Sequence, residues 1–235
     1  MIAGEERARI TLASPAGDAA DVAIIAAEAT PANTRAMTQV GQLWLDQSEA
    51  ADEGLGPLSD EAYRAYFAST TAYLAADRLA AGTCCVLVAE DAASGEVLGV
   101  AVYTPGTGDW YIDDFTVSPR NQPGFPAAVQ LRGIGSAMLS VLAGEAAAEP
   151  SCTSISLLPL DEAAECFWSA RGFHRTDPRD RLRLTCEEVG EIAARSRVAG
   201  PDCPDAGDCV TAGDWSDHRR AAPPRVVGRV YPVGR

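Results

Sequence analysis

Two glycines, Gly133 and Gly135, stand between a strand-like run, Ile112 to Val117, and a helix-like run in which Met138, Val141, Leu142 and Ala146 recur at helical spacing. Glycine permits backbone angles that other residues resist, and it removes side chains where another group must come close. A helix opening at Gln130-Leu131-Arg132-Gly133-Ile134-Gly135 aims its first N–H groups, and the positive end of its dipole, into the loop before it. A phosphate fits such a place, and a tight turn without any ligand is equally compatible with it. The three-glycine dinucleotide fingerprint is absent. So is the Gly-Lys-Ser/Thr of a P-loop, since the chain has no lysine. Glu149-Pro150 ends the helix.

The flanks narrow the choice. Trp110 to Val117 reads as a strand stopped by Pro119, and Ser154 to Leu160 as a second strand. A helix follows with Ala164, Phe167 and Trp168 on one face, and Gly172 is a natural left-handed cap before Phe173. This order of strand with Val-x-Pro, Gln-x-x-Gly-x-Gly, helix, strand and Ala-x-x-Phe-aromatic-x-x-x-Gly-Phe resembles the GNAT superfamily of acyl-CoA-dependent N-acetyltransferases. The resemblance runs from about Ile10 to about Thr185, with its motifs between Ile112 and Phe173. It implies an α/β fold with a mixed, mostly antiparallel sheet of six or seven strands, flanked by helices and splayed where acetyl-CoA binds. It also implies a cofactor pyrophosphate on the backbone of Leu131, Arg132, Gly133, Ile134, Gly135 and Ser136, in the loop that Gln130 opens, and a pantetheine arm laid along Phe115, Thr116 and Val117. Two departures stand out. Ten residues, 120–129, separate the Val-x-Pro segment from Gln130, read as a surface insertion or a substrate lid. Trp168 occupies the place where the family often has a tyrosine that protonates the leaving thiolate, which indole cannot do. Water, a neighbour such as Tyr103, or no group at all then supplies that proton.

At 235 residues the chain accommodates one α/β domain, read as 1–185, and an extension, 186–235, comprising a short helix at 187–197 and a tail from Val198 that is disordered or draped on a neighbour. No apolar run is long enough to span a membrane and no signal pattern opens the chain, so a cytoplasmic location is expected. Seven cysteines and two histidines show no zinc spacing, so no metal is expected, and most thiols read as small buried hydrophobes. Arg9 to Ala13 reads as a first strand, and Asp18 as the cap of a helix over Ala19 to Glu28. Thr30 to Pro57 is unassigned. A helix from Ser59-Asp60 carries Tyr63, Tyr66, Phe67, Tyr73 and Leu74, read as core or subunit interface, so a homodimer is compatible with the chain. Thr83 to Glu90 and Val97 to Tyr103 form a hairpin about Ser94-Gly95, and Arg181 to Thr185 an edge strand.

The formal net charge is −14, and residues 1–173 hold 8 arginines against 23 acids. An acidic field of this kind argues for no nucleic acid and for a small, cationic amine as partner. Acetylating that amine requires a group to take its proton. Asp113 and Asp114 are adjacent aspartates in a strand, where Asp is depleted. Regular pleating sends them to opposite faces, with Asp114 beside Ile112 and Thr116, so they form no pair. Some aminoglycoside-modifying members of the family carry an aspartate at the place of Asp114, which makes it the candidate base or amine anchor. Asp113, Tyr103, Trp110 and Tyr111 are lesser acceptor-site candidates, and Asp161 is read as a helix cap or a cofactor contact. The expected activity is transfer of acetyl from acetyl-CoA to a primary amine. The alternatives are an idle acyl-CoA-binding module on the same fold and a transferase acting on a protein or peptide.

Overall fold

A computed structural model describes residues 1–55, 60–122, 124–125, 130–176, 181–185, 187–190 and 192, with only the backbone for 51–55 and 60–61. Its frame is an eight-stranded sheet built from β1 (Gly4–Ala13), β2 (Ala19–Ala27), β3 (Cys85–Asp91), β4 (Val97–Thr104), β5 (Gly108–Val117), β6 (Cys152–Leu157), β7 (His174–Arg175) and β8 (Leu182–Thr185). The spatial order is β1-β2-β3-β4-β5-β6-β8-β7. Every neighbouring pair is antiparallel except β5 with β6. The expected six or seven strands become eight because the segment read as a first helix is β2, and because β7 pairs over two residues only, too short to leave a sequence pattern. β8 is not the edge strand that its alternation suggested. It lies between β6 and β7, with Leu182 and Leu184 buried.

Helices α1 (Pro31–Leu55) and α2 (Asp60–Ala81) cover one face of the sheet, and α3 (Ile134–Ala148) and α4 (Glu162–Ser169) the other. On the α3 side, Leu87, Ala101, Tyr103, Trp110, Ile112, Ile155 and Leu157 pack with Ile134, Met138 and Leu142. On the α1/α2 side, Val86, Val88, Val100 and Val102 meet Met37, Trp44, Ala72 and Leu79. Both faces of the central strands are dry, which explains their continuous apolar runs.

The same burial overturns the helix expected over Ala19 to Glu28. The segment is β2, with Val22 and Ile24 facing one core and Ala23 and Ile25 the other. An unbroken run of small and branched apolar residues fits a strand covered on both sides as well as a helix, and only its neighbours β1 and β3 decide. Asp18 sits in the β1–β2 turn, where its carbonyl accepts from Ser14 N at 2.7 Å and Gly17 takes φ of 92°. The unassigned stretch from Thr30 becomes α1. Thr30 Oγ1 accepts from Asn33 N at 3.2 Å, and Pro31 supplies a first helical residue that has no N–H to satisfy.

In α2 the core-facing stripe is small, made of Ala65, Ala68, Ala72, Ala75 and Ala76 with Leu79, whereas Tyr63 and Tyr66 are more than half exposed. The core reading of those two tyrosines is therefore corrected: the small stripe lets α2 lie close to α1 and the sheet. Tyr73 uses that closeness. Its ring lies where a Cβ on Gly41 would come within 3.0 Å, and its hydroxyl donates to Gln42 Oε1 at 3.1 Å. Of the described cysteines only Cys152 is buried. Cys85 and Cys166 are exposed and Cys84 half-buried, against the expectation for most of them. Residues 187–190 and 192 are helical; the rest of the expected helix and the tail lie outside the described residues. Among the described residues no helix is long and apolar enough to cross a membrane, and no group of three or more His, Cys, Asp and Glu could hold a metal.

Candidate functional site

The parallel pair β5/β6 runs from Gly108 opposite Cys152 to Ile112 opposite Leu157, and there the two strands part. β5 continues to Val117 with β4 alone as partner. Ser118 N donates to Leu98 O at 2.8 Å, so the antiparallel alternation puts Thr116 in the ladder with β4 and turns the N–H and C=O groups of Phe115 and Val117 to the open side. An extended chain with its own amides can add there as a strand. Leu158 and Leu160, which follow β6, are both exposed.

At the end of this opening α3 begins. Gly133, with φ of 89°, is its N-cap and offers no side-chain acceptor, so the first-turn N–H groups meet no cap. Two of the six expected phosphate donors are already engaged: Leu131 N donates to Asn121 Oδ1 at 2.8 Å and Arg132 N to Ala13 O at 3.3 Å. Gly133, Ile134, Gly135 and Ser136 remain at the helix start. Gln130 holds the loop itself, its Nε2 donating to Phe125 O at 2.9 Å and Gln122 O at 3.3 Å. Gly135 is small for a packing reason, since a Cβ there would lie 3.3 Å from the Phe167 ring and 3.4 Å from that of Phe115.

Arg171, just past α4, reaches across to this helix start. Its Nη2 donates to Ser136 Oγ and its Nη1 to Phe167 O, both at 2.7 Å, and the guanidinium lies 3.6 Å from the Phe167 ring centroid. A cation beside the positive end of a helix opposes the dipole, an arrangement that an anion between them relieves. Nothing in the sequence marks Arg171, because the contact joins the end of one helix to the start of another. Trp168 is buried in a ring cluster with Phe115, Phe167 and Phe173, centroids 5.0–5.1 Å away. Asp161 is the cap that one reading expected, accepting from Ala164 N at 2.7 Å, and it also lies 3.9 Å from Arg64 of α2.

Asp113 and Asp114 do not go to opposite faces. The β4–β5 register shifts between Val102 and Tyr103, so that Val102 faces Asp114 and Tyr103 faces Ile112. Ile112 and Phe115 both pack on the α3 side, and the two aspartates between them both turn to the α2 side. Asp114 thus shares a face with Thr116 and not with Ile112. Asp113 Oδ2 accepts from Thr104 Oγ1 at 2.7 Å, and Asp114 Oδ1 lies 3.5 Å from the buried Thr71 Oγ1 of α2. Burial and the Asp113 carboxylate push the Asp114 pKa up to about 6, against the opposing influence of Thr71 and Arg78. Tyr111 is half-buried, its ring 5.3 Å from the Arg181 guanidinium.

Tyr103 and Trp110 are not brought to this pair. They stack on the α3 side with centroids 5.6 Å apart, and the Tyr103 hydroxyl donates to Glu145 Oε2 at 2.7 Å. Burial and that carboxylate raise the Tyr103 pKa, which suits it poorly to supply a proton.

A sheet parallel only at β5/β6, parted there, with a glycine-led helix at the end of the gap, is the arrangement that the sequence resemblance implies. The fold is GNAT-like. No family model matches the sequence, and no curated protein matches it. Solved structures similar to the chain include a bacterial toxin (TM-score 0.44, 16% identity, 56% of this chain and 83% of that chain covered). A second is a mutant of the AtaT toxin bound to the C-terminus of the antitoxin AtaR and acetyl-CoA (0.43, 11%, 55% and 83%). A third is AtaT complexed with acetyl-methionyl-tRNA (0.40, 10%, 50% and 79%). The expected partners, a small-molecule amine and no nucleic acid, are corrected on this finding, because those structures hold an antitoxin and a tRNA. Net charge describes the average field of a chain and does not fix what one local surface binds.

Proposed function

We propose that residues 1–185 form an acetyl-CoA-dependent N-acetyltransferase acting on a primary amine. The observation that carries this reading is the gap between β5 and β6, which leads directly to the uncapped N-terminus of α3. The Phe115 N–H and C=O and the Val117 N–H pair with the pantetheine arm and polarise the thioester carbonyl, the Val117 C=O being held by Thr116 Oγ1 and Gln122 Nε2. The N–H groups at Gly133 to Ser136 and the Arg171 guanidinium hold the pyrophosphate.

The Asp114 carboxylate takes a proton from the acceptor's ammonium group, and Asp113 beside it holds the cation in place. The freed nitrogen attacks the acetyl carbon, the C–S bond breaks with its electron pair going to sulfur, and the proton that the new amide nitrogen sheds passes through water to the thiolate, giving the free thiol. No covalent intermediate on the protein is needed. Trp168 favours a second reading, a binder of acyl-CoA without turnover, because no side chain in that ring cluster can protonate a thiolate.

The first test is the thermal midpoint with acetyl-CoA, desulfo-CoA and ATP. A ligand at one hundred times its Kd stabilises by about 2.7 kcal/mol, a shift of several degrees. A shift with the two CoA species and none with ATP supports the site, and no shift at millimolar concentration overturns it. Release of free thiol in the presence of peptide amines or aminoacyl-tRNA then separates the transferase from the binder.

A further inference from the structure

Among the strands, the apolar core beneath α1 and α2 draws on β2, β3 and β4 and on no described residue of β5 to β8. On that side the second half of the sheet is polar. β5, β6 and β8 give their apolar residues to the α3 side, so alternation turns Asp109, Tyr111, Ser154, Ser156 and Arg183 the other way. Four of these five satisfy one another. Asp109 accepts from Ser154 Oγ and Ser156 Oγ, both at 2.6 Å, and Arg183 Nη2 donates to Ser154 Oγ at 2.7 Å.

Tyr111 carries a cation instead. The exposed Arg181 guanidinium lies 5.3 Å from the centroid of its half-buried ring. A planar cation over an aromatic ring is held in place while its N–H edge stays open to a further partner. Among the described residues no carboxylate forms an ion pair with Arg181. Yet Asp113 stands on the same face two residues along β5, a separation of about 6–7 Å. Asp113 is instead held by Thr104, the residue of β4 that pairs with Tyr111, and Asp114 lies toward Thr71 and Arg78 of α2. The Tyr111 hydroxyl registers all three charges at once: burial raises its pKa most, Arg181 opposes that, and Asp113 and Asp114 add to it.

This face therefore offers opposite charges a fixed distance apart. At one end are the carboxylates that the mechanism assigns to the acceptor's nitrogen, and at the other a guanidinium that they leave unneutralised. A purely cationic amine finds a counter-ion at one end and repulsion at the other, whereas an amine that brings its own anion is matched at both.

We infer that Tyr111 and Arg181 form the part of the acceptor site that selects a primary amine bearing a carboxylate or a phosphate about 6–7 Å from its nitrogen, the length of two extended residues. This rests on the transferase reading above, with Asp113 and Asp114 at the nitrogen. Arg181 binds the anion through its planar N–H edge, and the Tyr111 ring keeps the guanidinium there. Neither residue takes part in the proton transfer.

The test measures thiol release from acetyl-CoA with two pairs of amines, each pair differing only in the anion: glycylglycine against glycylglycinamide, and O-phosphoethanolamine against ethanolamine. The unsubstituted protein should favour the anionic member of at least one pair by about tenfold or more in kcat/KM, the range of a charged hydrogen bond. The pair that responds says whether the anion is a carboxylate or a phosphate. Arg181→Gln and Tyr111→Leu should bring that ratio close to one by raising KM for the anionic amine, with the anion-free amine unaffected. Arg181→Lys should recover part of the preference, and Tyr111→Phe, which keeps the ring, should retain it. A general folding defect lowers both members of a pair equally, so a loss of activity with the ratio kept overturns the assignment. A ratio near one in the unsubstituted protein overturns it too, as does a lack of turnover with all four amines in a protein that binds coenzyme A. Failure to bind coenzyme A would instead overturn the acyl-CoA reading on which the assignment rests.

Discussion

Asp113 and Asp114 turn to the same side of the sheet, because the residues that flank them, Ile112 and Phe115, both pack on the α3 side. Two neighbouring carboxylates resist being charged together. Burial first, and the Asp113 carboxylate second, push the Asp114 pKa up to about 6.

Turnover should therefore rise with pH through about 6 as Asp114 ionises, and level off above it. Asp114→Asn should lower kcat by 100-fold or more, within the usual range for loss of a general base, and leave the Kd for coenzyme A unchanged. A pH–rate profile with an excess of amine checks both.

The same carboxyl makes a prediction about stability. It ionises near 6 in the folded chain and near 3.9 in the unfolded one, so between those values the folded chain holds more protons and stability falls as pH rises. Asp114→Asn should raise unfolding stability by about 1–2 kcal/mol at pH 7.5, after allowance for partial exposure, and by nothing at pH 3.5. Urea titrations at the two pH values decide it.

Arg171→Gln should weaken coenzyme A binding by roughly 10- to 100-fold, the range expected when a charged hydrogen bond worth about 1.5–3 kcal/mol is lost. The defect should shrink at high salt, where the charge in the original protein is screened. Titrations at two salt concentrations report it, and unchanged affinity would remove Arg171 from the phosphate site.

The two loop glycines should fail for different reasons. Gly133→Ala meets little in the way of atoms but must hold φ at 89°, which costs about 1 kcal/mol. Gly135→Val must push into the rings of Phe115 and Phe167 and should cost about 1–3 kcal/mol. Denaturant midpoints separate them when paired with Phe167→Leu, which should rescue only the second.

Trp168→Ala should be among the most damaging single changes in this region, at about 3–5 kcal/mol, because it empties the centre of a cluster formed with Phe115, Phe167 and Phe173. Thermal unfolding measures it directly.

What was legible in the sequence is what neighbours along the chain decide. Pro119 and Pro150 stop their elements, Gly172 takes the left-handed cap at φ of 91°, and Ser94-Gly95 turns the β3–β4 hairpin. The order of strand, glycine loop, helix, strand and helix follows from periodicity in short windows, and with it the α3 N-terminus, whereas the gap was implied only by the family resemblance which that order carries. The sequence misled where identity depends on what lies across from a residue. Ala19 to Ala27 is a strand because β1 and β3 pair with it, and the alanines of α2 are its core because α1 and the sheet lie against them. The same reason separates the two aspartates from the faces that pleating assigned. One shifted register against β4, invisible in the residues of β5 alone, puts both carboxylates beside α2 and gives Asp114 its altered proton affinity. Arg171 against Ser136 is likewise a meeting across space. Local backbone preference fixed where each element begins and ends; register and packing between distant segments decided which side chains share a site.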